Sequence, residues 1–153
     1  METSIQSRTQ MHEISIVYRR PVYNEMPYID GSVKTDRLIR SIIDLDRIDY
    51  KEFMWILLLN NANRVLGMAK IGEGDVKGVL VNAREIIQLG ICTNAVGIIM
   101  VHNHPSGKLE PSQADINLTR KIKDITSIFD MTLLDHLIIT SESYYSFADE
   151  GKI

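Results

Sequence analysis

An α/β fold, in which helices flank a mixed β-sheet, is predicted by three features of this chain. Strand-like and helix-like stretches alternate along it, two of the strands are apolar on both faces, and the length suits one domain. Alternation of this kind favours helices layered on a sheet. A strand covered on both sides reads as a continuous apolar run, and "FMWILLL" (residues 53–59) and "AVGIIMV" (residues 95–101) are such runs. A chain of 153 residues can bury most of its apolar surface in a single core.

The elements follow in order. Residues 1–11 read as a loose arm. Residues 12–20, "HEISIVYRR", alternate as a strand does and stop at Pro21. With the loop behind them they form an N-terminal arm and edge strand over residues 1–30, ahead of the main domain over 31–153. Residues 32–46, "SVKTDRLIRSIIDLD", predict an amphipathic helix with Leu38, Ile39, Ile42, Ile43 and Leu45 on one stripe and Ser32 or Thr35 as its cap. "KEFMWILLLN" is a central strand, with Met54 and Trp55 in the core. "NNAN" is a turn, and residues 64–74 return as the second strand of a hairpin. A short extended piece, "VLV", precedes Asn82, which caps a helix over "AREIIQLGIC". Residues 95–104 are a buried strand broken by Pro105, Ser106 and Gly107, and Ser112 opens a long helix to about Phe129. "MTLLDHLIIT" is a strand and "YYSFAD" the final one, whose exposed edge would allow a homodimer.

Composition narrows the function. The chain is 44% hydrophobic and 24% charged, as ordinary globular proteins are. A net charge of −3 gives no general electrostatic reason to bind nucleic acid, so DNA is a partner that charge does not support. Cys92 is the only cysteine, which excludes an intrachain disulfide and fits a reducing compartment; it reads as a small buried apolar residue. No apolar run approaches the ~20 residues of a membrane span. The polar start "METSIQSRTQ" lacks a signal-peptide core, so a cytoplasmic location is expected.

The chemistry concentrates in "VHNHPSGKLEPSQAD", residues 101–115. Alternate residues of a strand point to one side, so His102 and His104 project together and Asn103 points away. Seven residues separate His104 from Ser112, enough for a loop that turns back over the strand end. Ser112 is a good N-cap, and Asp115 then falls at N3, able to reach back toward the imidazoles. Two nitrogens and one oxygen form the three-ligand set of an open zinc site. Zinc lowers the pKa of a bound water to about 7 and polarises a carbonyl. Two plainer readings stand beside this one. Ser112 and Asp115 could be only a capping box, and the histidines only a surface pair. The literal "HNH" carries little weight as a nuclease signature, because those nucleases draw the letters from separated elements.

His-x-His, seven residues, Ser, two residues, Asp resembles the JAMM (MPN+) zinc metalloprotease motif. The longer string "HNHPSG…PSQAD", with "LLDHLII" and "YSFADEG", resembles the RadC-like branch of that JAB/MPN family, from about Thr35 to the C-terminus. The resemblance implies a deaminase-like α/β sandwich and one zinc ion held by His102, His104 and Asp115. It further implies a serine, Ser112, that steadies the tetrahedral intermediate, and a glutamate, Glu52, that moves the proton of the zinc water. Glu85 is the alternative base, and Glu110 a solvated neighbour of the loop. Asp135 or His136 could orient a zinc ligand, since such imidazoles usually donate their other N–H, or the two could simply serve the fold. His12 reads as a surface residue. The expected activity is metallopeptidase- or isopeptidase-like hydrolysis of a protein or peptide substrate, with no membrane partner. Members of the RadC branch are traditionally labelled DNA-repair proteins, and longer ones carry a helix-hairpin-helix segment. The residues before Glu52 contain no Gly-rich hairpin of that type. A DNA-associated accessory protein and a non-catalytic, metal-stabilised binding module are the alternatives. A deaminase would need a Pro-Cys-x-x-Cys pair, which one cysteine cannot supply.

Overall fold

The computed structural model describes residues 12, 14–74 and 80–153. Five strands form one mixed sheet in the order β2-β1-β3-β4-β5. β1 (Phe53–Leu59) and β3 (Gly97–Asn103) are buried at every position, as strands covered on both faces must be. β1 pairs antiparallel with both β2 (Val65–Glu73) and β3. β3 pairs parallel with β4 (Thr132–Ile139), and β4 antiparallel with β5 (Tyr144–Ser146) at the edge. The parallel step needs a crossover, and α3 (Gln113–Ile128) supplies it. The β1–β2 turn is set by Asn60, whose side chain accepts from Ala62 N and Arg64 N, and by Asn63, which adopts φ 55° where Asn is tolerated.

The alternation of the strands splits the core in two. Met54, Ile56, Ile98 and Met100 pack against Ile86 and Ile87 of α2 (Ala83–Cys92) and Ile122 of α3. Trp55, Leu57, Ile99 and Val101 pack on the other face against Ile39 of α1 (Ser32–Arg40). The result is a three-layer α/β/α sandwich, and the end of β3 projects one side chain into each layer.

Four expectations are corrected. Residues 14–20 form no strand; Ile14, Ile16 and Val17 are exposed. Alternation makes a strand only where a ladder partner exists. Here Pro21 and the 3₁₀ turn Tyr23–Glu25 divert the chain, which meets the sheet only at Pro27 and Ile29. The helix starting at Ser32 stops at Arg40. Ser41 turns its hydroxyl onto Leu38 O, and Asp44 caps a separate 3₁₀ turn, Leu45–Arg47. The cap of α1 is Gly31; Ser32 and Thr35 lie inside the helix, with Thr35 Oγ1 donating to Gly31 O. Cys92 is exposed, because the buried stripe of α2 is Ile86, Ile87 and Gly90 and the last residue turns off it. The arm expected over residues 1–11 lies outside the described residues, as do residue 13 of the expected strand and the first residue of "VLV".

Candidate metal centre

His102 is the penultimate residue of β3, and His104 follows the strand directly. The His104 amide still donates to Ile139 O at 3.0 Å, so the strand path is held one residue further and both rings stay on the α3 side. The chain then turns through Gly107, at φ 76°, and enters α3 at Ser112. Ser112 Oγ accepts from Asp115 N at 3.2 Å, while Ser112 N and Oγ donate to Asp115 Oδ2 at 2.7 and 2.6 Å. This reciprocal cap is the capping box, and it aims Asp115 Oδ1 back at the strand end.

There the donors converge. His102 Nε2 lies 3.0 Å from His104 Nε2 and 3.1 Å from Asp115 Oδ1, and His104 Nε2 lies 3.5 Å from Asp115 Oδ2. An ion held tetrahedrally at about 2.0–2.1 Å separates its ligand atoms by about 3.3 Å; the two spacings from His102 Nε2 are close to that, and one ligand atom from each of the three side chains lies within 4.8 Å of the others. His104 Nδ1 sits 2.6 Å from Lys108 O. A carbonyl only accepts, so Nδ1 carries a hydrogen and Nε2 is the nitrogen that faces the centre. Among the described residues this is the one group of three His, Cys, Asp or Glu side chains that could hold a metal ion.

The charges are strongly coupled. Burial works to raise the Asp115 pKa, but the neighbouring imidazoles of His102 and His104 and the Ser112 hydroxyl hold the carboxyl far below the usual carboxylate range. Burial works to lower His104; Asp115, the Lys108 carbonyl and Glu52 outweigh it and hold the imidazole above its ordinary value. Burial raises Glu52, against the pull of His102 and His104 and with a further push from Asp115.

Glu52 reaches the centre through sheet register. Met54 pairs with His102 across the antiparallel β1–β3 ladder, and Glu52, two residues earlier and just ahead of β1, continues that alternation toward the side of the sheet that carries His104. It lines a cleft of about 890 Å³ together with His104, Ser112 and Asp115. Glu85, the alternative base, lies in the first turn of α2 and is not on the cleft wall. Glu110 is on the wall but exposed, paired with Lys108 at 3.0 Å. Ser112 is on the wall too, although its single hydroxyl proton is given to Asp115.

Asp135 and His136 part company. A bulge at Leu134 sets Asp135 beside Ile99 and His136 beside Met100, on opposite faces of the sheet. Asp135 accepts from Ser146 Oγ, Ala148 N and His136 N, which ties down the turn after β5. His136 Nε2 lies 2.8 Å from His102 Nδ1, and its Nδ1 lies 2.7 Å from Thr119 Oγ1. Full burial pushes the His136 imidazole well below the ordinary histidine range. Two contributors escaped the sequence reading. Thr119 sits one helical turn beyond Asp115, a spacing that could have flagged it. Asn103 was only noted as pointing away. It accepts from Phe53 N at 2.7 Å and donates to Ile48 O and Lys51 O at 2.6 and 2.8 Å. It therefore clamps the backbone on both sides of Glu52.

A mixed sheet between helical layers, with an N,N,O donor set where a buried strand hands over to a helix, defines an α/β domain with a candidate metal site. A sequence model of the RadC-like JAB domain matches residues 33–152. A UPF0758 protein of Flavobacterium johnsoniae is 48% identical over 107 residues, covering 70% of this chain and 46% of the relative. UPF0758 protein VSAL_I0192 of Aliivibrio salmonicida is 33% identical over 144 residues, 94% of this chain and 64% of its own length. A UPF0758 protein of Porphyromonas gingivalis is 35% identical over 136 residues, 88% of this chain and 60% of the relative. The chain belongs to the RadC-like JAB domain family, and it spans less than two thirds of these curated relatives. No helix among the described residues is long and apolar enough to cross a membrane.

Proposed function

We propose that the chain is a zinc-dependent hydrolase of the metallopeptidase or isopeptidase kind, acting on an amide bond in a protein or peptide. His102, His104 and Asp115 are the ligands, and Glu52 is the general base. One observation carries the reading: a half-buried glutamate with a raised pKa faces an N,N,O donor triangle in the same cleft. Zinc held there supplies a water acidified to a pKa of about 7 and a Lewis acid for the scissile carbonyl. Glu52 takes the proton of the attacking water and passes it to the leaving amine. Its raised pKa moves it toward the range where accepting and releasing a proton are both easy. Ser112 would turn its hydroxyl from Asp115 to the developing oxyanion.

The cleft favours polypeptide over polyanion. Tyr50, Leu80, Pro105 and Pro111 give its wall apolar area, and with Lys108 paired to Glu110 the wall offers a phosphate backbone no cationic surplus. Glu52→Gln keeps the shape and removes the base. The expected result is unchanged zinc stoichiometry with hydrolysis of peptide or isopeptide substrates reduced about 10²- to 10⁴-fold. Normal turnover in that variant would remove Glu52 as the base, and wild-type protein that retains no metal would remove the whole reading.

A further inference from the structure

His102 has two ring nitrogens and one proton to place when neutral. If the proton sits on Nε2, the ring donates to Asp115 Oδ1 at 3.1 Å and the site closes on itself without an ion. If it sits on Nδ1, Nε2 presents a lone pair to the centre. The surroundings of the far side of the ring decide between these states.

Those surroundings form a chain with one fixed end. Thr119 Oγ1 lies 2.6 Å from the main-chain carbonyl of Asp115. Two oxygens that close need a proton between them, and only the threonine has one, so Thr119 donates to the carbonyl. Its oxygen is then the acceptor for His136 Nδ1 at 2.7 Å, which places the His136 hydrogen on Nδ1. His136 is wholly buried and its ring nitrogens meet only Thr119 and His102, with no carboxylate to balance a second proton, so Nε2 keeps a lone pair that accepts from His102 Nδ1 at 2.8 Å. Every hydrogen bond in the series points the same way. His136 and Thr119 are buried, and the His136 ring stacks on Phe147 with centroids 4.9 Å apart and planes 11° apart, so the series is held in position.

We propose that Thr119 and His136 are positioning residues that form a one-way relay from His102 to the Asp115 carbonyl and fix the His102 tautomer that turns a lone pair toward the centre. Each imidazole thus ends on a main-chain carbonyl: His104 directly on Lys108, His102 through two side chains. The relay also links the strand that carries His102 to the helix that carries Asp115. The inference rests on the metal reading, and its test separates the two.

The tautomers of His102 and His136 can be read in metal-free protein by long-range ¹⁵N–¹H spectra, and zinc affinity by competition with a chelator. Wild type is expected to carry both protons on Nδ1. Thr119→Val removes the acceptor for His136, so the His102 proton should shift toward Nε2 and zinc affinity should fall about 10- to 100-fold, the usual cost of losing such a partner. Thr119→Ser should restore both. If Thr119→Val does not fold, His136→Gln and His136→Leu carry the test. Glutamine can accept from His102 and donate to Thr119, so affinity should stay within a few fold, whereas leucine should lose it by about the same 10- to 100-fold. An Nε2–H His102 in wild-type protein that binds zinc overturns the relay, as does a serine or glutamine variant no better than valine or leucine. Wild type with the Nδ1–H tautomer and no zinc binding supports the relay and removes the metal reading instead.

Discussion

Asp115 and Asp135 are both buried aspartates, 8% and 6% exposed, within one small domain, yet burial has opposite outcomes for them. Burial drives both pKa values up. At Asp135 the partners are a hydroxyl and two amides from its own strand and the turn it anchors, and burial wins, leaving the pKa raised. At Asp115 two imidazoles and Ser112 overcome burial and drive the pKa far down. Burial alone does not separate a structural carboxylate from a working one. The partners do: Asp135 is satisfied by donors that belong to the fold, while Asp115 faces two ring nitrogens that converge on it from another element.

Substituting each aspartate should separate the two roles most widely. Asp115→Ala should reduce bound metal to background, measured by metal analysis of purified protein. Asp135→Ala should leave the metal content per folded molecule unchanged. Instead it strands Ser146 Oγ and Ala148 N and should cost about 2–4 kcal/mol in denaturant unfolding. Metal loss in the Asp135 variant, at an unchanged folded fraction, would erase the distinction. Asn103→Ala tests the same idea at the strand end. It opens three buried hydrogen bonds and should cost about 2–3 kcal/mol, given that part of the gap can relax. It should also displace Glu52, so turnover should fall while zinc stays bound; turnover that survives the loss of the clamp would show that Glu52 needs no such support.

The layers of this fold were legible because they depend on local pattern. Two apolar runs read as central strands, Asn82 as a cap, and the Ser112 spacing as a helix start, since each is fixed by neighbours in sequence. Period two brings His102 and His104 to one side, and the N3 position brings Asp115 back to them. The Thr119–His136 series could not be read in this way. It depends on which residue of β4 lies beside His102, and the bulge at Leu134 shifts that register by one. Without the bulge, "DH" would present its other member to α3. The exposed stretch 14–20 fails for the complementary reason: its pattern suits a strand, but a strand exists only where a partner edge is free and reachable.

Glu52 stands between the two aspartates. Like Asp135, Glu52 has a pKa raised by burial, here above an ordinary 4.5; like Asp115, it faces the centre. A raised carboxyl pKa means that the folded state holds its proton more tightly than the unfolded chain. Stability therefore falls as pH rises from 4.5 through the raised value and is constant beyond it. Glu52→Gln removes that penalty. In metal-free protein it should be no more stable than wild type below pH 4.5, and more stable above the raised pKa. A bound cation would favour the ionised carboxylate, so adding zinc should shrink the gain. Denaturant unfolding at acid and neutral pH, with and without zinc, measures all four corners. Equal stability at neutral pH without metal would mean that Glu52 is solvated in solution and belongs with neither aspartate. A gain that zinc leaves untouched would place the ion away from Glu52, and with it the proton transfer assigned to that residue.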